Sequence, residues 1–239
     1  IFSVIFMFYL IGLGLNEKGY SREAYDAIMK SGKVYIETYT VELPYKIKDL
    51  EKQFEKKKFI PIDREFVERF KILDEAKNKD VCLLVYGSPL TATTHITLIQ
   101  EAKKRKIKFK IIYSGSILDA VAETGLQLYK FSKIASMPNF EADSFIEIVK
   151  ENQKINAHSL ILIDIGLEFQ DALMRLEKIL HKHKINVDKM VVCSRLGMKD
   201  SKIFYDKISE LKNKKIENPF CFIIPGKLHF IEEEVLDGF

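Results

Sequence analysis

The chain has no tryptophan, and only three cysteines and six prolines among its 239 residues. It also lacks a surplus of either charge, since 38 Lys and Arg stand against 34 Asp and Glu, a net +4. Each shortage removes a class of explanation. Cys82, Cys193 and Cys221 lie far apart in apolar runs, so the sequence offers no disulfide framework and no Cys-x-x-Cys metal pair. Each reads as a small buried hydrophobe in a reducing cytoplasm. His181 and His183, two residues apart, diverge on a helix, and no metal site is expected. Basic runs occur at Lys56-Lys57-Lys58, Lys103-Lys104-Arg105-Lys106 and Lys212 to Lys215. No aromatics alternate with them as on a single-strand platform, so no direct nucleic-acid partner is expected. They read as solvated helix ends that complement the helix dipole, or as a patch for an acidic partner.

Long hydrophobic runs are scarce as well. The apolar stretch Ile1 to Leu15 falls short of the roughly 20 residues a membrane span needs. It lacks the basic flank and small-residue cleavage site of a secretion signal. Met7 reads as the start, Ile1 to Phe6 as an upstream extension, and the protein as soluble, cytoplasmic and without a membrane partner. With 47% hydrophobic and 30% charged residues, the chain can fill one large domain or two small ones.

What is present is alternation. Short apolar runs without strict period two read as strands buried on both faces: Phe8–Leu13, Lys33–Thr38, Val81–Tyr86, Ile107–Tyr113, Ile134–Met137, Ser159–Asp164, Lys189–Ser194 and Phe220–Ile224. Helix patterns lie between them. One is capped by Ser21 and stopped at Ser31-Gly32, with Gly32 supplying a left-handed turn. Another is capped by Asp63, with Phe66, Val67, Phe70 and Leu73 on one face. Thr94–Lys104, Ser144–Gln153, Asp171–His181 and Ile203–Lys212 follow. The pattern predicts α/β architecture. A boundary near Tyr113-Ser114-Gly115-Ser116 divides it into an N-terminal α/β domain, 7–113, and a C-terminal one, 116–239.

Five segments sit where α/β folds bind ligands, at strand ends. Gly12-Leu13-Gly14-Leu15 follows the first strand, and its glycines permit a sharp turn and a close approach. It is not a dinucleotide fingerprint, because the third glycine is missing and the next helix starts too late, at Ser21. Tyr86-Gly87-Ser88-Pro89-Leu90-Thr91 runs into hydroxyl residues and His95. Ser114-Gly115-Ser116-Ile117 opens a short helix whose amides at Ser116 and Ile117 could face a ligand. Ile163-Asp164 ends one strand, and Pro225-Gly226-Lys227-Leu228-His229 ends the last. His95 and Asp164 either orient a substrate or hold their own turns. No general base is named.

The pieces FYLIGLGL, VYGSPLTATTH, SILDAV with TGLQLYKF, LIDI, SRLG and PGKLH follow the order and approximate spacing of the diphthine synthase family, which the chain resembles from Met7 almost to its end. The resemblance implies a tetrapyrrole-methylase-like fold of two α/β domains with mixed sheets and a cofactor cleft between them. It implies S-adenosylmethionine as cofactor, with S-adenosylhomocysteine as product. It also implies homodimers, and methylation of the amino group of a modified histidine on translation elongation factor 2. Its cofactor contacts fall on Leu15, Ser88, Thr91, Ser116, Ile117 and Ile163, and on Leu196 and Cys221. Three departures stand out: Ser88 replaces an Asp, Cys221 a His, and Met137-Pro138-Asn139-Phe140 a Trp-containing stretch. The loop after Asp164 is also shortened. Two other readings remain: a methylase of a small tetrapyrrole-like substrate, and a cofactor-binding but catalytically weakened interaction protein. The basic residues from Lys103 to Lys110 are expected to help dock the elongation factor.

Overall fold

Why the strands carry unbroken apolar runs is visible in the computed structural model, which describes residues 6–55 and 57–239. Residues 1–5 of the expected extension, and Lys56 of the first basic run, lie outside the described residues. The chain divides into two compact units, one ending at Leu118 and the other spanning Asp119–Phe239.

The first unit holds β1 (Met7–Gly12), β2 (Lys33–Glu37), β3 (Ile60–Ile62), β4 (Val81–Val85) and β5 (Lys108–Ile112). They form one sheet of order β3-β2-β4-β1-β5, and every pair in it is parallel. Parallel strands need crossovers, and the crossovers cover both faces. Phe8 and Leu10 point into one core with Val67, Leu73 and Leu98, while Tyr9 and Ile11 point into another with Ala24, Ile28, Leu50 and Phe54. Both residue sets of a central strand are therefore apolar.

Two caps form as expected. The Ser21 side chain accepts from the Ala24 amide at 3.1 Å, and Asp63 accepts from Phe66 at 2.8 Å. Two helix expectations need correction. The helix Arg22–Lys30 ends at Ser31 in an extended conformation, and Gly32 is not left-handed; its amide instead donates to the Asp80 carbonyl at 2.9 Å. The pattern after Asp63 is two short helices, Arg64–Glu68 and Lys71–Glu75, broken at Phe70 with φ 56°. Phe66, Val67, Phe70 and Leu73 still share one core.

The second unit holds β6 (Ala135–Met137), β7 (Ser159–Ile163), β8 (Met190–Ser194), β9 (Lys202–Asp206) and β10 (Phe220–Ile224), in the order β6-β7-β10-β8-β9. Only the β6–β7 pair is parallel, so the mixed sheet belongs to this unit. Helices Phe145–Lys154 and Phe169–Lys182 pack on the face built from Ile161, Val192, Phe220 and Phe222.

The expected helix Ile203–Lys212 is mostly wrong. Its first part is β9, paired residue by residue with β8, and only Ile208–Leu211 is helical. Phe204 enters the core while its neighbours alternate away, the period-two habit of a half-buried edge strand. The strand Ile60–Ile62 and the helix Phe230–Leu236 were not foreseen. The three cysteines are free and buried. Sequence distance hid one pairing, since Cys193 and Cys221 lie opposite each other on β8 and β10.

Candidate functional site

Three loops converge at the carboxyl ends of the adjacent strands β4, β1 and β5. The close approach is built from backbone. The Gly14 amide donates to the Gly87 carbonyl at 3.1 Å, and the Gly87 amide returns a bond to Gly14 at 2.9 Å. A Cβ on Gly12 would lie 2.6 Å from the Gly87 oxygen and 3.1 Å from Ser114 Cβ, so glycine is required where the loops touch. Ser114 then donates to the Gly19 carbonyl at 2.8 Å.

This convergence brings Leu15, Ser88, Thr91, Ser116 and Ile117 to one end of one sheet. The Leu15 and Ile117 amides and the Ser88 and Thr91 hydroxyls have no hydrogen-bond partner among the described residues. Ser116 is engaged, as its Oγ accepts from the Leu118 amide at 3.2 Å. A Cβ on Gly115 would meet nothing within 4 Å, so space lies beside these donors. The segments Gly12–Leu15, Gly87–His95 and Ser114–Val121 contain no Lys or Arg. Neutral donors around an open space without cations suit an uncharged nucleoside and tolerate a sulfonium, whereas a pyrophosphate would need positive charge or a helix N-terminus.

Two residues that support this end were not singled out from sequence. The Tyr86 hydroxyl donates to the Leu15 carbonyl at 3.1 Å and so fixes the turn after β1. Tyr39 meets His95. Nδ1 of His95 faces the Pro89 carbonyl at 3.2 Å, which only accepts, so Nδ1 carries the hydrogen and Nε2 accepts from the Tyr39 hydroxyl at 3.0 Å. Burial pushes the imidazole pKa down against the pull of Glu37, so the ring stays neutral. Both ring nitrogens are committed to protein groups, and His95 holds its loop rather than a substrate.

In the second unit Ile163, Leu196 and Cys221 also gather at one sheet end. β10 runs antiparallel to β7 and β8, so its start lies beside their carboxyl ends, with Cys221 opposite both Leu162 and Cys193. Arg195, at φ 53°, turns the chain after β8 and donates its amide to the Pro219 carbonyl at 2.8 Å, which sets Leu196 near the start of β10. Leu196 and Cys221 are buried, whereas Ile163 is half-buried. Asp164 serves its own turn, with Oδ1 accepting from the Ile165 amide at 3.0 Å.

The motifs TGLQLYKF and PGKLH contribute none of these residues. They meet instead at the opposite end of the second sheet, around Glu232, which has no exposed surface. Glu232 Oε1 accepts from the Gln127 amide at 2.9 Å and from His158 Nε2 at 3.0 Å. Oε2 accepts from the His229 amide at 2.7 Å and from Lys130 Nζ. The Gly226 amide donates to His158 Nδ1 at 2.9 Å, which leaves Nε2 as the nitrogen carrying hydrogen. The carboxylate's acceptor sites are filled. The spacing His229-x-x-Glu232 is a helix-capping signal, and it was available in the sequence.

The basic run beyond Lys103 is placed differently from expectation. Helix Ile96–Lys104 starts from the loop that bears His95, runs back along the sheet, and delivers Lys103 to Lys106 to the amino end of β5. In this parallel sheet that is the end away from Leu15 and Ser88. Lys104 and Arg105 also pair with Glu101, at 3.6 and 2.8 Å. Among the described residues no helix is long and apolar enough to cross a membrane.

The chain is similar to proteins of known family. A family model described as tetrapyrrole (corrin/porphyrin) methylases matches residues 7–212. The diphthine synthase of Methanococcus maripaludis is 37% identical over 96% of this chain and 97% of its own length. That of Methanocaldococcus jannaschii is 38% identical, again over 96% and 97%. A crystal structure of diphthine synthase matches at a TM-score of 0.90 and 30% identity, covering 98% of this chain and 95% of that one. With one family model across most of the chain, close relatives over nearly all of it and the same fold, the chain belongs to the diphthine synthases of the tetrapyrrole methylase family.

Proposed function

We propose that the chain binds S-adenosylmethionine and methylates the amino group of the modified histidine of translation elongation factor 2, in diphthamide biosynthesis. The observation that carries this reading is the convergence of unpartnered, uncharged donors at the β4, β1 and β5 ends, in a chain of this family. The Leu15 and Ile117 amides and the Ser88 and Thr91 hydroxyls would hold the cofactor's polar groups. Ser116 shapes the turn, and Ile163, Leu196 and Cys221 are the matching set in the second unit. The cofactor would supply an electrophilic methyl group on a sulfonium.

The rest of the task is positional. A neutral amine held in line with the methyl group can gain roughly 7–11 kcal/mol from orientation alone. In the first unit the apolar residues Leu15 and Ile117 would exclude water from a reaction that disperses charge. No general base is assigned among the described residues, and an amine on a protein surface can release its proton to water before attack. The protein acts in the cytoplasm as a twofold homodimer; a monomer by light scattering at micromolar concentration would contradict that assembly.

The test is mass spectrometry of elongation factor 2 bearing the modified histidine, after incubation with this protein and labelled cofactor. The expected result is a label on that histidine's amino group. Cofactor binding without transfer would favour the weakened homologue that Ser88 suggests, and transfer to a small tetrapyrrole alone would favour the third reading.

A further inference from the structure

The motifs TGLQLYKF and PGKLH, which contribute none of the residues assigned to the cofactor, help to enclose a cavity of about 630 Å³ in the second unit. Three pieces of chain wall it: one within Gln127 to Ser132, one at Ile155-Asn156-Ala157 after helix Phe145–Lys154, and one from Lys227 to His229. Backbone contacts fix them. The Lys227 amide donates to the Asn156 carbonyl at 3.3 Å, and the His158 amide donates to that of Lys130 at 2.9 Å. A Cβ on Gly226 would lie 2.3 Å from the Asn156 oxygen, so glycine is needed where these two loops close. Lys130 Nζ ties the first wall to the third, through the Lys227 carbonyl at 2.6 Å and the buried Glu232.

The lining is rich in donors and holds no Asp or Glu. Lys130 is paired with Glu232, but the Lys227 ammonium has no partner among the described residues. The same is true of the Tyr129 hydroxyl and the Asn156 side-chain amide. His229 Nδ1 accepts from the Ile231 amide at 3.4 Å, so in the neutral ring Nε2 carries the hydrogen. An unmatched ammonium among neutral donors selects an anion with several acceptor oxygens. Beside these donors lie the rings of Phe131 and of Tyr129, which is 81% exposed. Aromatic faces next to such donors suit a ligand with a flat ring at one end and a phosphate at the other. The volume sets its size. Clefts of roughly 300–1,000 Å³ hold small organic molecules, and inorganic phosphate would leave most of this one unfilled.

We propose that this cavity is a second ligand site, and that it takes a mononucleotide. The phosphate lies against Lys227, His229 and Asn156, and the base lies against Tyr129 and Phe131. The site stands at the end of the second sheet away from Ile163, Leu196 and Cys221, and it does not depend on the reading given under Proposed function.

The experiment is equilibrium binding of labelled AMP to the full chain, with S-adenosylhomocysteine in saturating amount so that any adenosine-binding site at the strand ends is filled. AMP should bind with a dissociation constant below roughly 1 mM. Adenosine and inorganic phosphate should each compete about tenfold less well, since each lacks one half of the contacts. Lys227→Gln and Tyr129→Ala should each weaken AMP by about tenfold and leave thermal unfolding unchanged, because both side chains are exposed. Absence of saturable binding below roughly 1 mM would overturn the proposal. So would displacement of AMP by S-adenosylhomocysteine, a Lys227→Gln protein within twofold of the parent, or phosphate competing as well as AMP. An oligonucleotide that binds about a hundredfold more tightly than AMP would make this a nucleic-acid surface and overturn the mononucleotide.

Discussion

Glu232→Gln tests the buried cluster that joins the TGLQLYKF and PGKLH motifs. Burial pushes the Glu232 carboxyl up, but Lys130, the amides of Gln127 and His229, and His158 outweigh it and hold it at about 2, from an ordinary 4.5. The difference is 4.5 − 2, or about 2.5 units, and at about 1.36 kcal/mol per unit it amounts to roughly 3 kcal/mol. The folded-state pKa lies below the unfolded one. This stability is therefore fully present above pH 4.5 and is lost as the pH falls toward 2. A glutamine keeps the shape but turns one acceptor oxygen into a donor that faces donors, and it strands Lys130 without its anion. Breaking such a buried pair costs about 3–5 kcal/mol. Urea unfolding of both proteins from pH 6 to pH 2 should show the variant weaker at neutral pH, and the gap should close in acid as the parent carboxylate takes up its proton. A gap independent of pH, or none at all, would refute the reasoning.

Two further outcomes follow from the first unit. Gly12→Ala places a methyl group 2.6 Å from the Gly87 oxygen and 2.9 Å from Pro89 Cδ, between loops that the Gly14–Gly87 bonds hold together. Overpacking of this kind costs about 1–3 kcal/mol, and cofactor affinity should fall at least tenfold; unchanged calorimetric affinity would show that these loops do not wall the cofactor. Ser88→Asp places a carboxylate where the family resemblance implies one, and one hydrogen bond to a charged group contributes about 1.5–3 kcal/mol. Affinity should tighten roughly ten- to a hundredfold, whereas an equal or weaker value would mean that the site has adapted around the serine.

The expected strands were legible because burial on both faces leaves its mark on every residue of a run. Phe8 to Ile11 are apolar whichever face they serve, and no register is needed to see it. β3, three residues long, and β9, which alternates across a half-buried edge, carry too few apolar positions to stand out. The helix assigned to Ile203–Lys212 failed for that reason: in a ten-residue window its apolar residues fit either period, and pairing with β8 decided between them. The break at Phe70 was equally hidden, since the four residues of its stripe reach one core through a left-handed turn.

By itself the sequence determined the α/β alternation, the buried cysteines, the Ser21 and Asp63 caps and the motifs that carry the family. These depend on residues near one another along the chain, or on the chemistry of one residue. Tertiary structure alone decided that Gly12, Gly87 and Ser114, more than a hundred residues apart at the extremes, touch at the ends of β1, β4 and β5. It also decided that Glu232 gathers Gln127, Lys130 and His158, and that the Lys103 run lies at the far end of its sheet. The reason is physical. Strand order and register are set by which apolar surfaces bury one another across the fold, and that is a property of pairs distant in sequence which no local pattern records.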